Sequence, residues 1–344
     1  MNDLMMQHVS TLDDLRKLTE DEPPLRVGVV CAEDDTVLET VRSAKETGLI
    51  EPLLIGDPAL ITQKAEALGL DVDPDTIAAA WTEQQAAKTG AGLLAGGAVD
   101  TLMKGHVHTD VFMRALLGKD TNLRLPGQRV SHVFIADIPA YPKLLAITDA
   151  AINISPDLAA KAQILQNAID VMHGIGVKRP KAAILSAVET INVLISSTTD
   201  AAALTLMARR GQIKGADVDG PLAFDNAVSI KAAEIKGIKS TVAGEADIVL
   251  MPDLVSGNIL AKNLEYLSGA TLAGLVIGLQ APIVLSSRAD PPSARLAALA
   301  LVRLLTSASE HHAPRFTKTD LSDEPQGCCA PMPEEACFPA RATG

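Results

Sequence analysis

The sequence predicts an α/β protein with a mainly parallel sheet covered by helices on both faces. Three observations carry that prediction. Short apolar runs alternate with longer amphipathic ones along most of the 344 residues. Glycines stand where the helical periodicity stops, at Gly48, Gly69 and Gly211. Residues of hydrophobic type make up 47% of the chain and aromatics only 2%, so the core must be aliphatic.

Taken in order, "RVGVVCA" (26–32) reads as a buried strand, followed by helical "TVLETVRSAKETG". "EPLLIGD" is a second strand, with "PALITQKAEALG" as its helix. A helix near 82–95 leads to strand 99–105, then helix 109–118 and strands 129–137 and 144–150. Helix 157–175, strand 181–187 and helix 199–210 follow. A helix near 226–236, strand 246–252, helix 257–268, strand 282–286 and a last helix complete the pattern. Strand followed by helix, repeated, implies parallel pairing. Roughly 290 ordered residues suit two α/β domains better than one. Residues 313–344, rich in Pro, Gly and charge, read as a disordered tail.

The net charge of −12 and the scarcity of aromatics argue against nucleic acid as a partner. Residues 1–22 carry six acids and two bases, and 310–344 carry six and three. The ends therefore hold −7 of that charge, and an anionic ligand needs a local cluster of cations and amides. Cys31 lies in an apolar strand, and Cys328, Cys329 and Cys337 lie in the tail, which suits reduced thiols rather than a disulfide framework or a metal site. "MNDLMMQHVSTLDDL" lacks the form of a secretory signal, and no uncharged apolar run reaches the length of a membrane span. A cytoplasmic protein without membrane attachment is the expectation.

Ligands of parallel α/β sheets bind outside the carboxyl ends of the strands. Here those ends read Lys104-Gly105-His106, Thr148-Asp149, Ser186-Ala187-Val188-Glu189, Pro252-Asp253 and Ser286-Ser287-Arg288. Neither G-x-x-x-x-G-K-[ST] nor a G-x-G-x-x-G after a strand is present, and neither are H-E-x-x-H or G-x-S-x-G. Nucleotide loops, zinc proteases and α/β-hydrolases therefore fall away.

Seven longer strings remain: "LMKGHVHTD", "RVSHVF", "ITDAAINISPDL", "ILSAVET", "DGPLAFDNA", "MPDLVSGNILAK" and "LSSRAD". In that order, over about residues 20–310, they resemble the phosphate acetyl/butyryltransferase family. The resemblance implies two doubly wound α/β domains with a cleft between them, similar to the isocitrate/isopropylmalate dehydrogenase-like fold. It places residues 20–143 plus 284–312 in a first, discontinuous domain and 144–283 in a second. The implied reaction moves a short acyl group, acetyl favoured over butyryl, between coenzyme A and inorganic phosphate in one ternary complex. Coenzyme A is then a substrate, and no metal or other cofactor is implied. The expected partners are acyl-CoA with phosphate, or acyl phosphate, and further copies of the chain in a homodimer or higher homo-oligomer.

That chemistry needs cations and hydroxyls for phosphate, donors for the developing oxyanion, and a base for the coenzyme thiol. Ser287 and Arg288 match the family's Ser-Arg pair, which implies a hydroxyl donor to the acyl carbonyl and a guanidinium for phosphate. Lys104, His106, His108, Thr109, Arg129 and Ser131 are candidates for the anion pocket, with Thr109 as a helix cap. Asp225 and Asn258 match segments that line the cleft from the second domain. Acetyltransferases of the family carry an acid six positions after the arginine, where this chain has Ala294. Asp290, directly before Pro291, reads as a helix cap, so the base stays unassigned. Two other classes compete: a non-catalytic acyl-CoA-sensing module, disfavoured because Ser287-Arg288 is retained, and a decarboxylating dehydrogenase, for which no acid cluster is evident.

Overall fold

The computed structural model describes residues 9–287 and 290–310. Arg288 and the expected tail with its three cysteines lie outside the described residues. The strands are β1 Leu25–Val30, β2 Ile50–Gly56, β3 Ile77–Ala79, β4 Thr101–Lys104, β5 Ser131–Asp137 and β6 Leu145–Thr148. They continue with β7 Lys181–Leu185, β8 Asp217–Leu222, β9 Ile248–Leu250, β10 Thr271–Ile277 and β11 Ile283–Val284. The helices are α1 Leu12–Lys17, α2 Asp35–Glu46, α3 Pro58–Ala67, α4 Glu83–Ala95, α5 Thr109–Leu116 and α6 Leu158–Gly174. After these come α7 Ser196–Arg209, α8 Phe224–Val228, α9 Ile230–Ile235, α10 Leu254–Ser268 and α11 Pro292–Glu310.

All eleven strands join one sheet in the order β3-β2-β1-β4-β11-β10-β5-β6-β9-β7-β8. The first five run parallel to one another, as do β6, β9, β7 and β8. Two strands join these blocks. β10 pairs antiparallel with both β11 and β5, and β5 pairs antiparallel with β6. The chain thus brings β11 back, after the whole second block, to lie beside β4.

The fold class is the α/β arrangement the alternating pattern predicts. Alternate residues of each strand feed opposite faces. Val133 and Ile135 of β5 pack with Leu275, Val284, Ile164 and Leu301, under α6 and α11. Phe134 and Ala136 turn the other way, toward Ala261 and Leu264 of α10. On that second face Phe112 and Leu116 of α5 cover Leu102, Val276 and Leu285. Asp34, Asp57, Thr82, Asp157 and Asp253 each cap the helix they precede by accepting from its first free amides.

Several elements differ from expectation. The reading leaves residues 271–277 unassigned, yet they form β10, a central strand. The face it shares with Phe134 needs Gly274, because a Cβ there would press on the Leu285 carbonyl and the Phe134 ring. β3, β8 and α1 are also additions, each short or rich in polar residues. The helix expected over 226–236 divides at Ser229, whose extended backbone ends α8 while its hydroxyl caps α9. Replacing Gly274 with valine is expected to cost about 1–3 kcal/mol by overpacking, measured as a lower urea midpoint with an unchanged slope.

Candidate active site

The carboxyl ends of β1, β4 and β11 lie side by side, because Val30 is opposite Lys104 and Met103 is opposite Val284. This juxtaposition puts Lys104 across from Leu285, two residues before Ser287. Lys104 is only 3% exposed and donates from Nζ to the Gly105 carbonyl at 3.4 Å. Gly105 and His106 donate their amides to the carbonyls of Val30 and Cys31, binding the β4 exit to β1. A Cβ at Gly105 would strike both carbonyl oxygens, so only glycine fits that approach.

The two histidines are held by acids at helix starts. His106 Nδ1 lies 3.4 Å from Asp34 Oδ2, and Asp34 caps α2. Burial pushes the Asp34 carboxyl upward, but the Thr36 hydroxyl, the Val37 amide and His106 outweigh it and the pKa is lowered. His108 Nδ1 lies 2.8 Å from Glu83 Oε2, and its amide donates to the same oxygen at 3.1 Å. Thr109 is not the cap of α5 as expected: it is the first helical residue, and His108 occupies the cap position without a side-chain bond. The α5 amides are therefore left without a side-chain acceptor from that position.

Ser287 sits on a turn built by two residues of different standing in the sequence. The first, Arg295 of α11, was not anticipated. It is 2% exposed, and its guanidinium donates to Ser286 Oγ at 3.3 Å, the Ser287 carbonyl at 3.4 Å and Thr36 Oγ1 at 3.3 Å. One cation therefore ties the Ser286–Ser287 backbone to the start of α2. Its burial lowers the guanidinium pKa, opposed by Asp290 and Asp34. The available signal was a lone arginine inside the apolar run "ARLAALALV".

The second is Asp290, which does not take the cap role expected of it. α11 begins at Pro292, and the Asp290 carboxylate folds back to accept the Ser287 amide on Oδ2 at 2.6 Å. The Asp290 amide returns a bond to the Ser287 carbonyl at 3.2 Å. Oδ1 faces Lys262 Nζ of α10 at 3.7 Å, and Lys262 also pairs with Glu265 at 2.7 Å. Burial raises the Asp290 pKa to about 6; the Ser287 amide and Lys262 hold it down, and Glu265 pushes it up.

Beneath this turn lies His132, 1% exposed, its ring set against the Leu285 backbone. Its ring meets Phe134 edge-on at 4.3 Å. Burial lowers its pKa to about 4 against the pull of Asp149 and the Leu285 backbone, so the imidazole is neutral at physiological pH.

The other anticipated residues are not gathered here. Leu275 pairs with both Val133 and Val284, so β5 and β11 run the same way, and Arg129 lies seven residue steps from Ser287. That is roughly 23 Å along the strand direction at about 3.3 Å per residue. Arg129 instead donates to Asn153 Oδ1 at 3.0 Å, and Asn153 donates to Asp149 at 2.6 Å. Ser131 is fully buried and accepts from Asn167 at 2.8 Å, which occupies the hydroxyl expected to meet phosphate. Asn258 donates to the Ala150 carbonyl at 3.3 Å, at the exit of β6. Asp225 faces Lys236 at 3.3 Å, and Lys236 also faces Glu189. Among the described residues, no cluster of His, Cys, Asp and Glu has the arrangement of a metal site.

Two outcomes follow from this geometry. Arg295→Met is expected to speed amide exchange of the segment around Ser287 by about tenfold, with β7 unchanged, as read by hydrogen-exchange mass spectrometry. Asp290 has a folded pKa above its unfolded one, so ionising it costs stability, and the cost appears as pH rises from about 4 through about 6. The stability of Asp290→Asn relative to the parent is therefore expected to improve by on the order of 2 kcal/mol between pH 4 and pH 8 in urea melts.

Comparison with known proteins gives this geometry its context. Residues 75–302 match the family described as phosphate acetyl/butaryl transferase. The chain is 49% identical over 271 residues to the phosphate acetyltransferase of Rhizobium meliloti, covering 79% of this chain and 85% of that one. It is 42% identical to the phosphate butyryltransferase of Clostridium acetobutylicum, covering 81% and 93% of the two chains. The crystal structure of a branched-chain phosphotransacylase from Enterococcus faecalis V583 superposes with a TM-score of 0.70 at 27% identity, over 82% of this chain and 99% of that one. With the Ser287 turn, the buried Lys104 and these likenesses together, the chain belongs to the phosphate acetyl/butyryltransferase family.

Proposed function

We propose that this enzyme transfers an acyl group reversibly between coenzyme A and inorganic phosphate, with acetyl as the preferred group. The observation that carries the reading is the convergence of Lys104 with the Ser287 turn at adjacent strand ends. Four phosphate acetyltransferases at 46–49% identity, against butyryltransferases at 37–44%, support acetyl, although the acetyltransferase of Thermotoga maritima is 37% identical. Butyryl is the second reading, supported by the C. acetobutylicum relative.

In the forward direction a phosphate oxygen attacks the thioester carbonyl carbon, the C–S bond breaks, and the thiolate leaves. Ser287 is the donor to the carbonyl oxygen as it gains charge. Arg288, at the next position, supplies the fork that grips phosphate. Lys104, partly stripped of water, adds a positive field at the same strand ends. His106, His108 and Thr109, at the start of α5, form the wall toward which the phosphate and the pyrophosphate of the coenzyme extend. Asp225 and Asn258, at exits of the second block that open toward the Arg129 end of the sheet, are assigned only to substrate contacts away from Ser287. Arg129 and Ser131 are too far from Ser287 to share its phosphate.

We assign coenzyme A as a substrate, with no resident cofactor. The protein belongs in the cytoplasm, where its substrates are found; no described helix is long and apolar enough to cross a membrane. Copies of the chain associate in this reading, which the exposed Ile191, Val193 and Leu194 before α7 support. The division into domains 20–143 plus 284–312 and 144–283 belongs to the same reading, supported by the return of β11 to the first block.

The test is a thiol-release assay with acetyl-, propionyl- and butyryl-CoA and phosphate. Phosphate-dependent release is expected, fastest with acetyl-CoA. Ser287→Ala is expected to lower kcat about 100-fold and Arg288→Ala to abolish release. No release with any of the three substrates would overturn the reading.

A further inference from the structure

The chain has a single tryptophan, Trp81, and it is 70% exposed. Tryptophan is on average highly buried, because its indole carries so much apolar surface. The backbone of Trp81 is nevertheless fixed. Trp81 follows β3, and its amide donates to Gln85 Oε1 at 3.0 Å. The Gln85 amide in turn donates to Oγ1 of Thr82, the cap of α4. The indole is therefore held out from an anchored strand–helix junction, and no step of acyl transfer described so far uses it.

Where it is held out decides what it meets. Ala78, Ile55, Val30 and Lys104 stand in one row across four parallel strands, β3, β2, β1 and β4. Trp81 and His106 follow just past that row, at the same end of the sheet as Ser287. The helices agree with the strands. Ala87 and Ala91 of α4 pack with Phe112 and Leu116 of α5 over Leu102, so both helices cover the face to which Lys104 belongs by alternation. At their starts, His108 Nδ1 meets Glu83 at 2.8 Å, which joins the residue before α5 to the first residue of α4. A continuous path thus runs from Ser287 past Lys104 and the start of α5 to the indole. It crosses four strand spacings, roughly 19 Å at about 4.8 Å each.

We propose that Trp81 is the platform on which the adenine ring of coenzyme A stacks. The inference rests on the acyl-transfer reading, which puts the thiol end of the coenzyme at Ser287. An extended pantetheine arm with its pyrophosphate is about as long as the path, so the nucleoside arrives at the exit of β3. The pyrophosphate lies between, at the start of α5, where the helix amides lack a side-chain cap. Adenine needs a flat apolar face and no counter-charge, and an exposed indole offers one. Glu83, the acid nearest to Trp81 in sequence, is engaged by both the ring and the amide of His108.

The experiment uses the full chain and two readouts. Because Trp81 is the only tryptophan, its fluorescence reports on this position alone. Coenzyme A and adenosine 3′,5′-bisphosphate are expected to quench it saturably, and phosphopantetheine, which lacks the nucleoside, is not. Thioester formation from acetyl phosphate is then followed with coenzyme A and with phosphopantetheine as acceptors. Trp81→Ala is expected to raise KM for coenzyme A about tenfold, so that the preference for coenzyme A over phosphopantetheine falls by the same factor. Trp81→Phe, which keeps an aromatic face, is expected to restore most of that preference. Unquenched fluorescence with saturating coenzyme A would overturn the inference, as would an unchanged preference in Trp81→Ala. Equal losses with both acceptors would also overturn it, because they mark a structural effect. No thioester from either acceptor, with quenching by the bisphosphate intact, would instead overturn the acyl-transfer reading and leave the stacking site standing.

Discussion

The pairing of β10 with β11 on one side and β5 on the other is the interaction on which the molecule depends. Two parallel blocks of strands, each with its own helices, would otherwise present edges with unpaired amides and carbonyls. β10 closes that gap by running against both neighbours. It also places the two-residue strand β11 between β4 and the centre of the sheet, so that Ser287 emerges next to Lys104. The glycine at 274 is what lets β10 come close enough to Leu285 to hold that exit in place.

At the exit, buried charge takes over from hydrogen-bonded sheet. A guanidinium, two carboxylates and an ammonium meet where β11 gives way to α11. Arg295 ties the Ser287 backbone to α2 in the first block, and Asp290 reaches Lys262 of α10, which covers the second. The turn bearing Ser287 therefore responds to elements from both halves of the chain. Burying an ionisable aspartate beside an amide stabilises one position of the turn while costing overall stability near neutral pH. Natural sites of catalysis show that trade repeatedly.

Much of this was legible in the residues. The alternation of apolar strands with capped helices gave the α/β class, and the polar strand ends gave the location of the site. Strings such as "LSSRAD" and "LMKGHVHTD" gave the chemistry by resemblance. What stayed hidden is what depends on register and burial. β10 was unreadable as a strand because a glycine interrupts its apolar run and no helix follows it. Asp290 before Pro291 has the local pattern of a cap, and only the path of the chain shows that it turns back to Ser287. Arg295 looks like a solvent-facing helix residue until α2 is packed over it. Arg129 and Ser131 share a string with His132, but the strand direction carries them to the far end of the sheet.

The central claim is that Ser287 stabilises the acyl carbonyl while phosphate attacks it directly, with no acyl group resting on the protein. Exchange of isotope between labelled coenzyme A and acetyl-CoA, with phosphate strictly absent, tests it most directly. Direct attack predicts no exchange until phosphate is added. Exchange without phosphate that disappears in Ser287→Ala would reveal an acyl-enzyme and contradict the account.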